Sequence, residues 1–281
     1  MQAPSARDLV LAAEEAARRA GRVLADRFEG ERTIEFKGGI DLVTDADKAA
    51  EEALLRFLRS EFPDHAVLAE ESGASKGEGF RWIVDPLDGT TNYSHRVPHF
   101  CVSVAVEGAQ GLLAGVVYDP LRQEMFAASR GGGATLNGRR IAVGNTQTLD
   151  RALLCTGFPY DVREKPDAPL GLFNRLMRRA QGIRRSGSAA LDLAYVASGR
   201  FDGFFEFGLK PWDIAAGALL VQEAGGVMTR IDGEPLDVML GDVLASAPGV
   251  FERLREETST FLREIRWTPE KRRFETEPVK F

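Results

Sequence analysis

The segment Trp82-Ile-Val-Asp-Pro-Leu-Asp-Gly-Thr-Thr-Asn92 carries the strongest structural signal in the chain. Its apolar beginning, Trp82–Val84, is typical of a buried strand. Because Pro86 cannot donate a hydrogen bond to a neighbouring strand, we expect the strand to end there. Two carboxylates, Asp85 and Asp88, then emerge at the carboxyl end of the strand, where open sheets usually place their binding sites.

The residues that follow the second carboxylate predict a binding site for an anion. Gly89 allows the backbone to approach a ligand closely. A helix that begins here would leave the amides of Gly89, Thr90 and Thr91 free to donate hydrogen bonds. Carboxylates beside such amides suggest Mg²⁺ holding a phosphate. The alternative interpretation is a strand and a turn with two solvated aspartates.

Carboxylates occupy the ends of predicted elements in three other regions. The pair Glu70-Glu71 follows the apolar run Ala66–Leu68, which predicts another strand. Thr44 and Asp47 have the spacing of a capping box at the start of a predicted helix. Asp213 precedes an apolar stretch that predicts a buried helix, and there it is an N-cap, a metal ligand or both. Each has a structural explanation alone, but together they supply what a site for several metal ions needs.

These segments together resemble the inositol monophosphatase family. The motif Asp-Pro-Ile/Leu-Asp-Gly-Thr is matched in full, and Gly-Thr-Thr-Asn is similar to inositol monophosphatases proper. The matching segments are residues 41–44 (with Lys37 just upstream), 70–71, 85–90, 187–190, 212–213 and 223–226. The resemblance covers roughly residues 5 to 262.

The resemblance implies a layered αβαβα sandwich of the α+β class, with the site between two halves of the chain. We expect an N-terminal domain over residues 1–144 that carries most metal ligands. A C-terminal domain over 145–265 would carry Asp213 and the substrate contacts, and residues 266–281 would form a charged tail.

The resemblance also implies an activity, the Mg²⁺-dependent hydrolysis of phosphate monoesters with two or three metal ions. The implied metal ligands are Glu70, Asp85, the carbonyl of Leu87, Asp88 and Asp213. Glu70 and Thr90 would orient or deprotonate the attacking water, and Asp47, hydrogen-bonded to Thr90, would support that proton path.

The implied substrate contacts are Asp88, Gly89, Thr90, Ala189, Glu206 and Lys210. Glu206 stands in Phe-Phe-Glu-Phe, where an unpaired carboxylate is costly, and this favours a functional role over a salt bridge. Lys210 departs from the eukaryotic relatives, which often have His nearby, and this leaves the substrate preference open. We expect a small polyol phosphate such as inositol-1-phosphate. The alternatives are a broader sugar phosphatase that includes fructose 1,6-bisphosphate, and a regulatory or binding protein on the same fold.

Composition excludes several other classes of protein. The 281 residues are 44% hydrophobic and 28% charged, as in globular domains, and the net charge of −6 argues against a nucleic-acid-binding surface. Cys101 and Cys155 fit no CxxC pattern, which favours free thiols in a reducing cytoplasm. Pro98 between His95 and His99 argues against a zinc site on one helix face. We expect no membrane span, and a homodimer on family grounds.

Sequence periodicity and turn residues predict the order of the elements. The predicted helices are residues 5–28, 44–62, 170–181, 189–197, 214–223 and 250–263. Residues 34–37 and 41–43 should form a hairpin or loop around Gly38-Gly39, and turns are expected at 131–133 and 137–138. The other predicted strands are 66–69, 82–84, 101–107, 111–118, 124–129, 153–157, 203–207, 226–230 and 243–247.

Overall fold

The computed structural model describes residues 4–30, 33–36, 42–268, 274 and 279. The predicted turn at Gly38-Gly39, together with Lys37 and Asp41, lies outside the described residues, as does most of the tail after residue 268.

The helices begin where the sequence supplies capping residues. Ser5 and Asp8 form the predicted capping box of the first helix, and Thr44 and Asp47 form that of the second. The helices are α1 (Ala6–Arg27), α2 (Asp45–Glu61), α3 (Thr90–Ser94), α4 (Asp167–Met177), α5 (Ala189–Ala197), α6 (Pro211–Glu223) and α7 (Pro248–Glu264).

The strands alternate with these helices in both halves of the chain. In the first half they are β1 (Ile34–Phe36), β2 (Leu42–Thr44), β3 (Ala66–Ala69), β4 (Gly73–Ser75), β5 (Arg81–Asp88), β6 (Cys101–Gly108), β7 (Gly111–Asp119), β8 (Glu124–Ser129), β9 (Gly133–Leu136) and β10 (Arg139–Arg140). In the second half they are β11 (Leu153–Thr156), β12 (Gly182–Arg184), β13 (Gly203–Glu206), β14 (Val227–Arg230) and β15 (Val243–Ser246).

Two large sheets and three layers of helices build the described part of the molecule. The first sheet has the order β10-β9-β8-β7-β6-β5-β3-β4, and the second has the order β12-β11-β13-β15-β14. Helices α1 and α2 cover one face of the first sheet, α5 and α6 pack between the sheets, and α4 and α7 cover the second sheet. This arrangement confirms the predicted αβαβα sandwich. The domain boundary near residue 145 stays a prediction, although each of the two large sheets keeps to its own side of it.

The positions of the apolar residues explain which face of each helix and strand is buried between the layers. The α1 stripe of Leu9, Ala13, Ala16, Ala20 and Leu24 is completely buried against the first sheet. Strand β6 is buried on both faces because helices cover the sheet on both sides. Strand β7 carries a glycine where α6 passes closest, since a Cβ at Gly115 would lie 2.8 Å from the Ala216 carbonyl oxygen.

Three predicted boundaries are wrong. Strand β5 does not end at Pro86 but continues to Asp88, because the pairing with β6 shifts between Asp85 and Asp88 and a proline fits such an irregularity. Helix α4 covers Asp167–Met177 rather than 170–181. Helix α6 begins at Pro211, a residue that suits the first helical turn, so Asp213 lies inside that turn and is not the N-cap.

Several smaller expectations are confirmed. Asn137 and Gly138 adopt positive φ values of 49° and 76° in the turn between β9 and β10. Cys101 and Cys155 are both buried free thiols. Among the described residues, no helix combines the length and the apolar character that crossing a membrane demands.

Candidate active site

The site begins where the parallel pairing of β3 with β5 ends. Ala69 of β3 pairs with Val84 of β5, so the next residues, Glu70 and Asp85, lie side by side just beyond this pairing. The Glu70 N–H donates to the Val84 carbonyl at 3.2 Å, which fixes this geometry. The charge of Glu70 raises the pKa of Asp85, so the two carboxyl groups lie close enough to repel each other.

The second half of the chain adds Asp213 to this edge. One carboxylate oxygen from each of Asp85, Asp88 and Asp213 lies within 4.8 Å of the other two. The Lys210 N–H donates to Asp213 Oδ2 at 2.7 Å, which orients the carboxylate at the start of α6. The cluster therefore forms only when both halves of the chain are folded together.

The electrostatics of this cluster fit a divalent cation. Burial raises the pKa of Asp85 well above its usual value, and the charges of Glu70, Asp88 and Asp213 raise it further. Burial and the charge of Asp88 likewise raise the pKa of Asp213. Repelling carboxylates in a buried site are stabilised by a cation between them, and an all-oxygen donor set is the one that Mg²⁺ prefers. The residues therefore fit the Mg²⁺ that the family resemblance implies.

Asp88 is held by residues that the sequence did not assign to the site. Its Oδ2 accepts hydrogen bonds from Ser188 Oγ at 2.6 Å and from the Ala190 N–H at 2.8 Å. These donors stand at the start of α5, beside the predicted contact Ala189. The Gly-Ser-Ala-Ala motif was recognisable in the sequence, but nothing local to it shows which carboxylate Ser188 contacts.

Asp47 lies behind Thr90. Thr90 Oγ1 is 3.0 Å from both Asp47 Oδ1 and the Leu87 carbonyl oxygen, and its proton is donated to one of them. The other Asp47 oxygen accepts from the Thr44 N–H and hydroxyl at 2.8 and 2.6 Å. Burial raises the pKa of Asp47, while the hydrogen bonds from Thr44 and Thr90 oppose that shift. The predicted contact between Asp47 and Thr90 is therefore present.

Gly89 turns the chain between strand β5 and helix α3. Its φ of 102° is one that residues with a side chain rarely adopt. A Cβ there would also lie 3.1 Å from the His99 carbonyl oxygen and 3.3 Å from the Gly187 carbonyl oxygen. Thr90 and Thr91 are the first residues of α3, so their N–H groups have no acceptor inside the helix.

A cavity of about 280 Å³ extends from the carboxylates into the second half of the chain. Glu206, at the end of β13, also lines this cavity and is 8% exposed. Burial and then the charge of Asp192 raise the pKa of Glu206 well above its usual value, while Arg185 lowers it. Gly157 leaves room for this carboxylate, since a Cβ there would lie 2.2 Å from Glu206 Oε1.

A second group of residues lines or supports the cavity and was missed from the sequence. Asp192 is almost completely buried and accepts a short hydrogen bond from Ser186 Oγ. His99 Nε2 lies 3.8 Å from Asp192 Oδ1, and Asn92 Nδ2 donates to the carbonyls of His99 and Ser186, both at 2.8 Å. These residues join α3 and the segment before β6 to the first residues of α5 and the segment before it, through contacts that are distant in sequence.

The structure brings the predicted site residues together. The residues that line the cavity are Glu70, Asp85, Leu87, Asp88, Gly89, Thr90, Ala189, Glu206, Lys210 and Asp213. Asp47 supports them through Thr90. Arg185 and the largely exposed Tyr160 also line the cavity and were not predicted.

Comparisons with known proteins agree with this geometry. The chain is 44% identical over 256 residues to the Nus factor SuhB of Salmonella typhimurium, covering 88% of this chain and 96% of that protein. An inositol monophosphatase from Anabaena superposes with a TM-score of 0.82 at 42% identity, covering 94% of this chain and 97% of the other. The extragenic suppressor protein suhB of Bartonella henselae gives a TM-score of 0.84 at 39% identity, covering 89% and 98%. Since the family profile also matches residues 6–265, the chain belongs to the inositol monophosphatase family.

Proposed function

We propose that this protein is a Mg²⁺-dependent phosphomonoesterase that acts on small polyol phosphates, with inositol-1-phosphate as the preferred substrate. The observation that carries this proposal is one cavity lined both by a cluster of carboxylates that could hold metal ions and by a separate buried carboxylate, Glu206. Family membership supports phosphatase activity. The cavity volume of about 280 Å³ suits a phosphate joined to a compact alcohol.

Glu70, Asp85, Asp88, Asp213 and the carbonyl of Leu87 would hold two or three Mg²⁺ ions. When bound, Mg²⁺ neutralises the charge of the phosphate oxygens and makes water a better nucleophile at neutral pH. Ser188 and the Ala190 N–H keep Asp88 oriented for this role. The N–H groups of Gly89 and Thr90 would donate to the phosphate oxygens.

Thr90 and Glu70 would prepare the attacking water. Donation of the Thr90 hydroxyl proton to Asp47 leaves Oγ1 as an acceptor that orients the water. Glu70 is only partly buried, and its carboxylate would take the proton from the same water. Asp47 therefore acts through Thr90, and Glu70 acts on the nucleophile directly.

The alcohol would lie at the Glu206 end of the cavity. Among the described residues Glu206 forms no salt bridge, burial of a carboxylate in this state is costly, and hydroxyl groups of a polyol offset that cost by donating to it. Ala189 would contact the same part of the substrate through its backbone, and Lys210 stands at the rim.

A panel of small phosphate monoesters tests this function. We expect hydrolysis of inositol-1-phosphate with Mg²⁺, loss of turnover in excess chelator, and inhibition by Li⁺. Full turnover in the presence of chelator would refute the metal-dependent mechanism. A preference for phosphates that lack hydroxyl groups would instead contradict the role given to Glu206.

The second candidate is a broader sugar phosphatase that also accepts fructose 1,6-bisphosphate. Arg185 and Lys210 both line the cavity, and a substrate with a second anionic group would suit two basic side chains there. Comparable kcat/KM values for fructose 1,6-bisphosphate and inositol-1-phosphate would favour this candidate. Replacement of Arg185 by Gln should then lower kcat/KM for fructose 1,6-bisphosphate and leave kcat/KM for inositol-1-phosphate unchanged.

A more distant candidate is a regulatory or binding role on the same fold. The observation that favours it is the name Nus factor that several relatives carry. The complete carboxylate set favours catalysis, because a pure binding protein has no need of every metal ligand. A cytoplasmic location fits either role and stays a prediction.

We also propose that the protein forms a homodimer, as expected for the family. Light scattering at micromolar concentration measures the mass directly. A value near twice the 30.8 kDa of the chain is expected, and a value equal to one chain would contradict the proposal.

A further inference from the structure

Phe274 lies beyond the part of the chain that matches the family, yet it contacts the structure that surrounds the candidate site. The family match ends at residue 265. The Phe274 N–H donates to the Met239 carbonyl at 2.7 Å. Its ring meets the Trp212 indole edge to face, with ring centres 5.1 Å apart and planes at 80°.

Trp212 belongs to a segment that forms one side of the cavity. This segment, Phe207–Asp213, is the pocket wall, and it carries Lys210 and Asp213. The loop that follows β14 supports the pocket wall from behind. The Leu209 N–H donates to the Gly241 carbonyl, and the Gly208 N–H donates to Asp242 Oδ1, both at 2.8 Å.

The Phe274 side chain also packs behind the pocket wall. It packs against the buried apolar cluster that contains Trp212 and Met239, as do the partly buried Leu209, Leu236 and Val238. On the other side, the Trp212 carbonyl accepts a hydrogen bond of 2.8 Å from Ser103 Oγ in the first sheet. Trp212 is therefore held between the first sheet and Phe274, immediately before Asp213.

We propose that Phe274 is a positioning residue that fixes Trp212 and so holds Asp213 beside Asp85 and Asp88. The proposal rests on the proposed role of Asp213 in Mg²⁺ binding. Loss of the Phe274 ring would remove the edge-to-face contact of the Trp212 indole and leave the hydrogen bond from Ser103 to the Trp212 carbonyl in place. The pocket wall would then sample positions in which Asp213 is too far from the other carboxylates to share a cation with them.

Mg²⁺ binding to full-length variants, measured by isothermal titration calorimetry, tests the proposal. We expect Phe274→Ala to weaken Mg²⁺ binding about three- to tenfold, the range that loss of an aromatic pair predicts. Phe274→Leu keeps an apolar contact with Trp212 and should recover part of the affinity. Phe57→Ala is the matched control, because Phe57 is a half-buried ring that packs on the opposite side of the first sheet, beneath Arg19. It should lower the melting temperature while Mg²⁺ affinity stays at the wild-type value.

A second measurement uses the wild-type protein and does not depend on how the variants fold. If docking of Phe274 favours Mg²⁺ binding, Mg²⁺ must favour docking of Phe274 by the same factor. Saturating Mg²⁺ should therefore slow trypsin cleavage at Lys271, Arg272 and Arg273 severalfold, as followed by mass spectrometry.

The outcomes are distinguishable. Wild-type Mg²⁺ affinity in a folded Phe274→Ala variant, or a cleavage rate that Mg²⁺ leaves unchanged, overturns the role of Phe274 while the proposed function stands. Equal losses in Phe274→Ala and Phe57→Ala would assign the effect to general destabilisation and also overturn it. Failure of the wild-type protein to bind Mg²⁺ would overturn the proposed function itself, and this inference with it.

Discussion

Asp88 shows at the scale of one residue how the two halves of the chain build the site. It ends a strand of the first sheet, and its Oδ2 accepts hydrogen bonds from Ser188 and Ala190 in the second half. Asp88→Asn keeps the shape of the side chain but removes the charge that a cation requires. We expect kcat to fall about 100-fold or more, since one electrostatic contact to the reacting group has effects of this size.

The matched control for this variant is Ser188→Ala. It leaves the carboxylate in place and removes one of the donors that orient it, so the loss of kcat should be smaller, about 10- to 100-fold. Circular dichroism and melting temperature report whether each variant is folded. Near wild-type kcat in a folded Asp88→Asn protein would contradict the assignment of Asp88 as a ligand.

Glu206 should determine how the alcohol part of the substrate is bound. A hydrogen bond to a charged group contributes about 1.5–3 kcal/mol, so Glu206→Gln should raise KM for inositol-1-phosphate about tenfold or more. Hydrolysis of an aryl phosphate, which offers no hydroxyl groups, should be nearly unchanged. Steady-state kinetics on the two substrates measures both effects.

Gly157→Ala provides an independent route to the same result. The added Cβ would lie 2.2 Å from Glu206 Oε1, so the carboxylate must move away while its charge is kept. The variant should raise KM for inositol-1-phosphate and leave KM for the aryl phosphate unchanged. The double variant with Glu206→Gln should show little further increase in KM for inositol-1-phosphate. Equal losses on both substrates would place Glu206 in the catalytic or structural machinery instead.

The sequence predicted the clustered carboxylates of the site better than the residues that orient them. Asp85 and Asp88 stand out because charged groups at the end of an apolar strand need an explanation. Ser188, Asn92 and His99 do not, because polar residues in loops and short helices are common and their role depends on which distant residue they contact. Ser188 lies a hundred positions from Asp88, so its contact appears only in the folded chain.

At the scale of elements, the contact between β7 and α6 places Asp213. A Cβ at Gly115 would lie 2.8 Å from the Ala216 carbonyl oxygen, and backbone cannot rotate aside as a side chain can. We expect Gly115→Ala to move α6 outward, to lower the free energy of unfolding by about 1–3 kcal/mol, and to weaken Mg²⁺ binding as Asp213 shifts. Chemical denaturation and calorimetry measure the two effects.

Gly182→Ala is the appropriate control for that variant. Gly182 lies on the edge strand β12, where the nearest atoms to an added Cβ are side-chain atoms at 3.4 and 3.7 Å. The stability and Mg²⁺ affinity of the Gly182→Ala variant should remain close to the wild-type values. Unchanged Mg²⁺ affinity in Gly115→Ala would show that the position of α6 does not limit metal binding.

Element boundaries were predictable where capping residues are strong. The helices that begin after Ser5 and Thr44 have capping boxes that the spacing of the sequence reveals. The end of β5 was not predictable, because the pairing with β6 tolerates Pro86 only through an irregularity that depends on the partner strand. Local sequence therefore locates an element more reliably than its end.

At the scale of the whole molecule, the layer order depends on contacts between segments far apart in the chain. Alternating strands and helices predict layers, but periodicity alone does not show that α5 and α6 lie between the two sheets. That order came from the family resemblance, and the three apolar clusters between the layers confirm it. The same assembly brings carboxylates from both halves together, so we expect metal binding and folding to be coupled.

Coupling of this kind predicts how Mg²⁺ stabilises the protein at different pH values. The folded-state pKa values of Asp85, Asp88 and Asp213 are raised, first by burial. Without metal, the folded protein therefore holds protons that the unfolded chain releases near pH 4. Its stability falls as pH rises from that value through the raised pKa values. Mg²⁺ competes with these protons and offsets the repulsion that remains after they leave.

The increase in melting temperature caused by saturating Mg²⁺ should consequently be larger at pH 8 than at pH 5. Thermal unfolding with Mg²⁺ or with chelator at the two pH values measures this difference. The Asp213→Asn variant lacks one acid of the cluster, so its increase in melting temperature on addition of Mg²⁺ should be smaller and should depend less on pH. An increase that is equal at both pH values in the wild-type protein would show that Mg²⁺ does not bind at these carboxylates, because any cation bound there must displace their protons.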